Sequence, residues 1–325
     1  MTCTHADGTP RRSSTCADFS EMPWLFSTPQ APESSFRPVI HGGVMFYAGV
    51  DVGGSGTRAE LCSGSRRLGE GRAGSGNLGT VGHTGSLRVV VEAVAAAFRA
   101  AGLEPSLRET RVHAGIAGLG RLEDCALLLA LPHPFRRLTV ESDAHLTLRA
   151  AYPSGEGTIL LCGTGALALR RIAAGQEVRA GGWGFPLERG GGAWLGMEGL
   201  RLGLEAIESG QHTALATAMQ RRFLGIDGAI RWTRTAKASS YAGLVPDVLA
   251  AAKQGDQEAA RLLTSWSSEL MGLLGRINAM QGPWTVWGGL SRAVLDYAPP
   301  EWLERYQPMA ERPLGAALKT AQLPH

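Results

Sequence analysis

Met45-Phe-Tyr-Ala-Gly-Val-Asp-Val-Gly-Gly-Ser-Gly-Thr-Arg58 is a short apolar strand that runs into an acidic residue and then a glycine turn. Phe46, Ala48 and Val50 alternate with Tyr47, Gly49 and Asp51, and a second β-prone run, Arg58 to Cys62, resumes after the turn. Gly53, Gly54 and Gly56 carry no Cβ, so the turn can bring backbone N–H groups against an anion. Ser55 and Thr57 add hydroxyl donors, and Asp51, at the strand's end, is placed to hold a hydrated Mg²⁺. The stretch reads as a phosphate-holding hairpin, with an ordinary glycine hairpin as the competing reading.

A second run of the same build shifts the balance toward the phosphate reading. Gly157 to Cys162 is an apolar strand, Gly163-Thr164-Gly165 a turn, and Ala166 to Arg170 a returning strand. Two such hairpins, each fed by an apolar strand, suggest one anion gripped from two sides, with Thr164 giving a hydroxyl and Gly163 and Gly165 their N–H groups. A third glycine turn, Gly288-Gly289, ends the strand Trp284 to Trp287 and would let a flat ring or a ribose lie against the backbone.

Between the hairpins, the strand Phe135 to Val140 leads into Glu141-Ser-Asp143 and a helix start. Asp143 is either a helix cap or a carboxylate at the carboxyl edge of the sheet, where open α/β folds bind ligands and where it would take a proton from a substrate hydroxyl. Gly74-Ser-Gly-Asn-Leu-Gly79 matches GxGxxG, but no strongly apolar strand leads in and no helix is expected to open directly on it, which excludes a dinucleotide fingerprint. Asn77 is then a turn residue or an amide offered to a ligand hydroxyl. Gly182 and Trp183 stand in a glycine-rich stretch, residues 180 to 196, that reads equally as core or as an ordered ligand-facing loop.

Helices are expected at 84–101, from the polar glycine stretch through Ile207, over much of the chain beyond 211, and at 256–280, where Ala259, Leu262, Leu263, Trp266, Leu270, Leu273 and Ile277 share one face. At 325 residues the chain exceeds the roughly 250–300 at which a single core stops growing, so two domains are expected. A net charge of +3 is too small and dispersed to point to nucleic acid or a membrane surface. The five cysteines are odd in number and form no CxxC pair, which favours a reducing, cytoplasmic setting and speaks against a zinc or iron–sulfur site. Residues 1–44, rich in Ser, Thr and Pro, are expected to be a disordered tail, with Met45 as the initiator.

Two phosphate hairpins, an Asp opening a helix between them and a late Gly-Gly turn, in that order, resemble the actin-like, ribonuclease-H-fold ATPase and sugar kinase superfamily. Within it the chain is similar to the BadF/BadG/BcrA/BcrD-type group that includes N-acetylglucosamine kinase and bacterial glucosamine kinase. The resemblance runs from residue 45 to about 321 and rests on Ser75-Gly-Asn77, Ser142-Asp-Ala144, Gly163-Thr-Gly165, Gly181 to Leu187 and Gly288-Gly289. It implies an α/β fold of two ribonuclease-H-like lobes around a nucleotide cleft, the second helix-rich. The lobes would span 45–150, rejoined by a helix at 313–321, and 151–312.

It also implies ATP and Mg²⁺ as cofactors, an amino sugar as acceptor and a possible homodimer. Asp51 would serve the metal. Gly53, Gly54, Ser55, Thr57 and Gly163 to Gly165 would hold phosphates, and Gly288 and Gly289 would contact adenosine. Asn77, Gly182 and Trp183 would contact the sugar, and Asp143 would be the general base. Relatives carry a stretch like Gly-Asp-Glu-Gly-Ser-Gly after the tryptophan loop, where this chain has Glu188-Arg-Gly-Gly-Gly192, one residue shorter. A dehydratase activator of the same superfamily, which needs clustered cysteines, and a non-catalytic sugar or nucleotide sensor are the alternatives.

Overall fold

The computed structural model describes residues 45–153 and 155–323, so the expectations for the 1–44 tail lie outside the described residues. Nine strands form two sheets. The first has the order β3-β2-β1-β4-β5, from β1 (Phe46–Val52), β2 (Thr57–Ser63), β3 (Arg66–Ala73), β4 (Thr110–Ile116) and β5 (Arg137–Ser142). The second has the order β8-β7-β6-β9, from β6 (Gly157–Cys162), β7 (Ala166–Arg171), β8 (Glu177–Gly181) and β9 (Trp284–Trp287).

The two sheets repeat one plan: an antiparallel three-strand meander, then parallel pairing on the far side of its first strand. In β1 the alternating Ala48, Val50 and Val52 are fully buried, as the strand's central place in the sheet requires. The opposite face carries Gly49, and helix α12 (Pro313–Gln322) lies so close there that a Cβ would collide with the Leu318 backbone and come 2.7 Å from Leu314 O.

Eleven further α-helices fill the described chain: α1 (Leu78–Ala100), α2 (Leu122–Leu129), α3 (Asp143–Ala151), α4 (Gly192–Glu208), α5 (Ala214–Phe223), α6 (Ile226–Thr233), α7 (Ala238–Ala242), α8 (Val245–Lys253), α9 (Gln257–Arg276), α10 (Ser291–Tyr297) and α11 (Pro300–Leu303). The apolar face expected for α9 is buried from Ala259 to Leu274 in the larger core, with Trp266 and Trp284 among its largest buried side chains.

Three boundaries differ from expectation. A helical turn does open on the 74–79 glycine stretch: α1 starts at Leu78, breaks at Gly82 (φ 67°) and only then runs on to Ala100. Asn77 caps that first turn through its side chain, which the glycines at 79, 82 and 85 disguise in sequence. β5 starts at Arg137, two residues late, and α9 stops at Arg276, after which Asn278 takes a left-handed conformation that an α-helix cannot continue through.

Candidate active site

Because β1, β3, β4 and β5 run parallel to one another, their carboxyl ends meet at one edge of the first sheet. Backbone hydrogen bonds knit that edge together: Ala117 N donates to Val52 O (2.8 Å), Leu78 N to Ala117 O (2.9 Å) and Gly76 N to Gly53 O (3.3 Å). β6, β8 and β9 likewise deliver the turns at 163–165, 181–183 and 288–289 to one edge of the second sheet.

The two edges face each other. A Cβ placed on Gly54 would sit 3.7 Å from Thr164 Oγ1, so the two glycine hairpins are in van der Waals range. The N–H groups of Gly54, Ser55 and Gly56 on one side, and of Thr164 and Gly165 on the other, make no hydrogen bond among the described residues. Ser55 is exposed. Opposed free donors at this spacing make a concavity whose chemistry suits an anion. The turns themselves are tied from behind: Gly53 N donates to Gly56 O (2.9 Å), Gly163 N to Gly165 O (3.0 Å), and the first N–H groups of α4, Gly192 and Ala193, donate to Gly163 O and Thr164 O (2.8 and 2.9 Å).

Two carboxylates stand on the first edge. Asp51 is the next-to-last residue of β1, two strands from β5 and Asp143. The cap position of α3 belongs to Ser142, whose Oγ accepts from His145 N (3.1 Å), which frees Asp143 from that role. Asp143 Oδ1 accepts from Ala144 N (2.9 Å). Burial first, and then the neighbouring charge of Asp51, push the Asp143 carboxyl up to about 6, against the pull of Ala144 N–H and Arg179. Burial also raises Asp51, opposed by Arg58. A buried carboxylate whose charge makes its neighbour Asp143 harder to ionise is a place that suits a cation.

The remaining candidate residues divide. Trp183 is 69% exposed and so is no part of the core. Gly182 holds φ 72°, donates to Ala166 O (2.9 Å) and sits where a Cβ would meet Arg179. Asn77 Oδ1 accepts from Gly79 N (3.0 Å), which leaves its two amide N–H groups and one oxygen lone pair for a ligand. Gly288 is required by the fold, since at φ 126° a Cβ would strike the Cys162 backbone; Gly289 beside it faces open space. Thr57 departs from expectation. It is buried and its hydroxyl donates to Gly74 O (2.9 Å), so it braces the two turns and has no hydrogen left for a phosphate.

A model of the BadF/BadG/BcrA/BcrD ATPase family matches residues 48–293. The chain belongs to that family. A protein named glucosamine kinase from Vibrio cholerae is 29% identical to it over 230 residues, which are 69% of this chain and 78% of that one. A Clostridium acetobutylicum protein named N-acetylmuramic acid/N-acetylglucosamine kinase is 28% identical over a shorter span of 106 residues, 31% of this chain and 35% of that one. Among solved structures, one from Chromobacterium violaceum, provisionally named an N-acetylglucosamine kinase, superposes with a TM-score of 0.78 at 27% identity, covering 86% of this chain and all of the other.

This BadF-type ATPase carries a site residue that sequence reasoning missed. Glu188, in the shortened stretch after the tryptophan loop, is only 5% exposed. Its Oε1 accepts from Ala166 N (2.9 Å) and its Oε2 from Gly184 N (3.2 Å), so one carboxylate joins the 163–165 turn to the tryptophan loop. Arg189 points away and pairs with Glu269 on α9 (3.0 Å). The only available signal was the acid's place just before three glycines, Gly190 to Gly192. Glu188→Ala strands the buried N–H of Ala166, while that of the exposed Gly184 can turn to water, and should cost about 1–3 kcal/mol, a fall in Tm of roughly 2–5 °C. Glu188→Gln, which keeps one acceptor, should fall about half as far; thermal melts of the three proteins check the order.

Among the described residues no helix is long and apolar enough to cross a membrane. Nor does any cluster of three or more His, Cys, Asp or Glu there hold a metal unaided. Mg²⁺ does not need one, since it is commonly held by one or two carboxylates together with waters and substrate phosphates, and Asp51 beside the N–H-lined concavity fits that demand.

Proposed function

We infer that this chain is an ATP-dependent sugar kinase that transfers the γ-phosphate to the 6-hydroxyl of glucosamine or N-acetylglucosamine. The observation that carries this reading is the facing of the Gly54 and Thr164 turns, both with free donors, on the edge that also presents Asp143. The names of the relatives in Vibrio cholerae and Chromobacterium violaceum support the acceptor class.

Phosphoryl transfer asks a protein mainly for alignment and charge stabilisation. The N–H groups of Gly54, Ser55, Thr164 and Gly165, with the Ser55 and Thr164 hydroxyls, would hold the terminal phosphates from both sides. Gly288 and Gly289 would leave room for the adenosine. Asn77, Gly182 and the exposed face of Trp183 would orient the sugar, and Asp143, ionised above pH 6, would accept the proton of the attacking hydroxyl. Asp51 would hold Mg²⁺, which when bound neutralises phosphate charge. Residues 45–150 with 313–321, and residues 151–312, would act as the two lobes that close on the sugar and exclude water, limiting idle ATP hydrolysis.

ADP release measured with ATP, Mg²⁺ and a panel of amino sugars tests the reading. Turnover that depends on a hexosamine, with a 6-phosphate ester in the product by ³¹P NMR, is the expected result. Sugar-independent hydrolysis would indicate the activator instead, and sugar binding without turnover the sensor.

A further inference from the structure

Helix α3 packs against both sheets. Leu146 lies on Gly115 of β4, where a Cβ would collide with it, and together with Ala150 it joins Ala316 and Ala317 of α12. On its other side Ala144, Leu148 and Ala151 pack with Ile159 of β6 and Leu169 of β7. Apolar contacts alone let a helix slide or turn a little, yet Asp143 is the first residue of this one. A displacement of about 1 Å there is enough to spoil a proton transfer.

Polar contacts fix the helix at both ends. Ser142 Oγ accepts from His145 N (3.1 Å) and lies 2.5 Å from His145 Nδ1. The hydroxyl has its own hydrogen to give, so Nδ1 accepts it, the ring proton sits on Nε2, and Nε2–H donates to Glu177 Oε2 of β8 (2.9 Å). Arg171 of β7 holds the other oxygen, Glu177 Oε1, through Nε and Nη2 (both 3.4 Å). Its Nη1 donates to the carbonyl of Tyr152 (3.5 Å), the residue that closes α3. A chain of contacts thus runs from the first turn of α3 through β8 and β7 and back to the helix's end. Arg149 ties the same helix to the first sheet by pairing with Glu141, whereas His145 reaches across to the second.

Glu177, Arg179 and Gly181 alternate onto one face of β8, the face they share with Arg171, Leu169 and Leu167 across the β7–β8 pairing. The strand then runs straight into Gly182 and Trp183. The strand that leads to the acceptor loop therefore also grips the turn that carries Asp143.

We propose that His145 and Glu177 are positioning residues, which lock the first turn of α3 to β8 and so hold Asp143 and the acceptor loop at 182–183 in one frame. They act through Asp143 and not on the reacting atoms. The proposal rests on the sugar kinase reading for its chemistry, but the hold on Asp143 can be measured without turnover.

The experiment uses the full chain: wild type, His145→Ala, Glu177→Ala, Glu177→Gln, Asp143→Asn and the double variant Asp143→Asn with Glu177→Ala. The pair is part-exposed, so breaking it should move Tm by less than about 3 °C. With a hexosamine, kcat should fall about tenfold in both alanine variants while KM for sugar and ATP stays within about twofold, because alignment matters more in the transition state than in binding. Glu177→Gln keeps an acceptor for Nε2–H and should recover most of the loss. In the Asp143→Asn background, Glu177→Ala should change the residual rate by less than about twofold, since no base remains to be placed.

A readout free of turnover comes from Ala144. Its N–H, at the second position of α3, has no partner within the helix and is held by Asp143 Oδ1 (2.9 Å). Hydrogen exchange of that amide by NMR should be about tenfold faster in Glu177→Ala than in wild type or Glu177→Gln. Unchanged kcat in both alanine variants, a loss that persists in the Asp143→Asn background, a rise in KM at unchanged kcat, or an Ala144 amide indifferent to Glu177→Ala would overturn the positioning role and leave the kinase reading standing. Faster exchange in Glu177→Ala, restored in Glu177→Gln, in a protein that phosphorylates no sugar would uphold the hold on Asp143 and overturn the kinase reading.

Discussion

Asp143→Asn should lower turnover with an amino sugar by about 10²–10⁴-fold, the scale of losing a general base, while ATP binding changes little. Asn keeps the shape and the acceptor oxygen that Ala144 N–H uses, but it cannot take a proton. The same substitution should stabilise the protein. The folded-state carboxyl titrates near 6, above its ordinary 3.8, so the fold favours the protonated form. Its contribution to stability is fully present below about pH 3.8 and is lost as pH rises through 6. At pH 8 the wild type carries a carboxylate that burial and Asp51 disfavour, and removing it should return about 1–3 kcal/mol after allowance for partial solvent screening. In the wild type, kcat/KM should rise with pH through a midpoint near 6 and level off above 7. Unchanged phosphorylation in Asp143→Asn, or a pH profile flat from 5 to 8, would remove Asp143 from the mechanism.

The parts of this site that could be read in the sequence are those set by local pattern. An apolar alternation that stops at an acid and a glycine turn leaves few options, so β1, β6 and their turns were legible, as was the strand end carrying Asp143. What was not legible depends on partners distant in the chain. A threonine hydroxyl after a glycine turn points either to the ligand or to the carbonyl of a neighbouring turn, and Thr57 takes the second course because Gly74 stands 2.9 Å away. Trp183 among glycines reads equally as core or as surface; it is exposed because Arg179 binds the carbonyls of Gly181 and Gly182 and fixes the turn beneath it. Helix α2 left no periodic signal, since Leu122 and Leu127 are exposed and its apolar residues do not form one buried stripe. Glu188 looked like a departure from a family pattern, and only the fold shows two N–H groups waiting for it.

Asp51→Asn should separate the two carboxylates' roles. If Asp51 holds Mg²⁺, losing its charge should raise the Mg²⁺ concentration for half-maximal activity by about 10–100-fold and reduce the rate at saturating metal by about 10²-fold or more, since a bound metal is worth several kcal/mol to the transition state. A second effect follows from the electrostatics alone. The Asp51 charge is one of the two causes that raise Asp143; with Asn in its place that cause disappears, so the acid limb of the pH profile should move below 6. The two readouts are independent, because the first depends on a ligand and the second on a charge already present in the protein. A Mg²⁺ requirement unchanged in Asp51→Asn, with the acid limb shifted down, would mean that Asp51 tunes the base without serving the metal. An acid limb that stays near 6 would mean that burial by itself sets the titration of Asp143, and that the two carboxylates do not act as a pair.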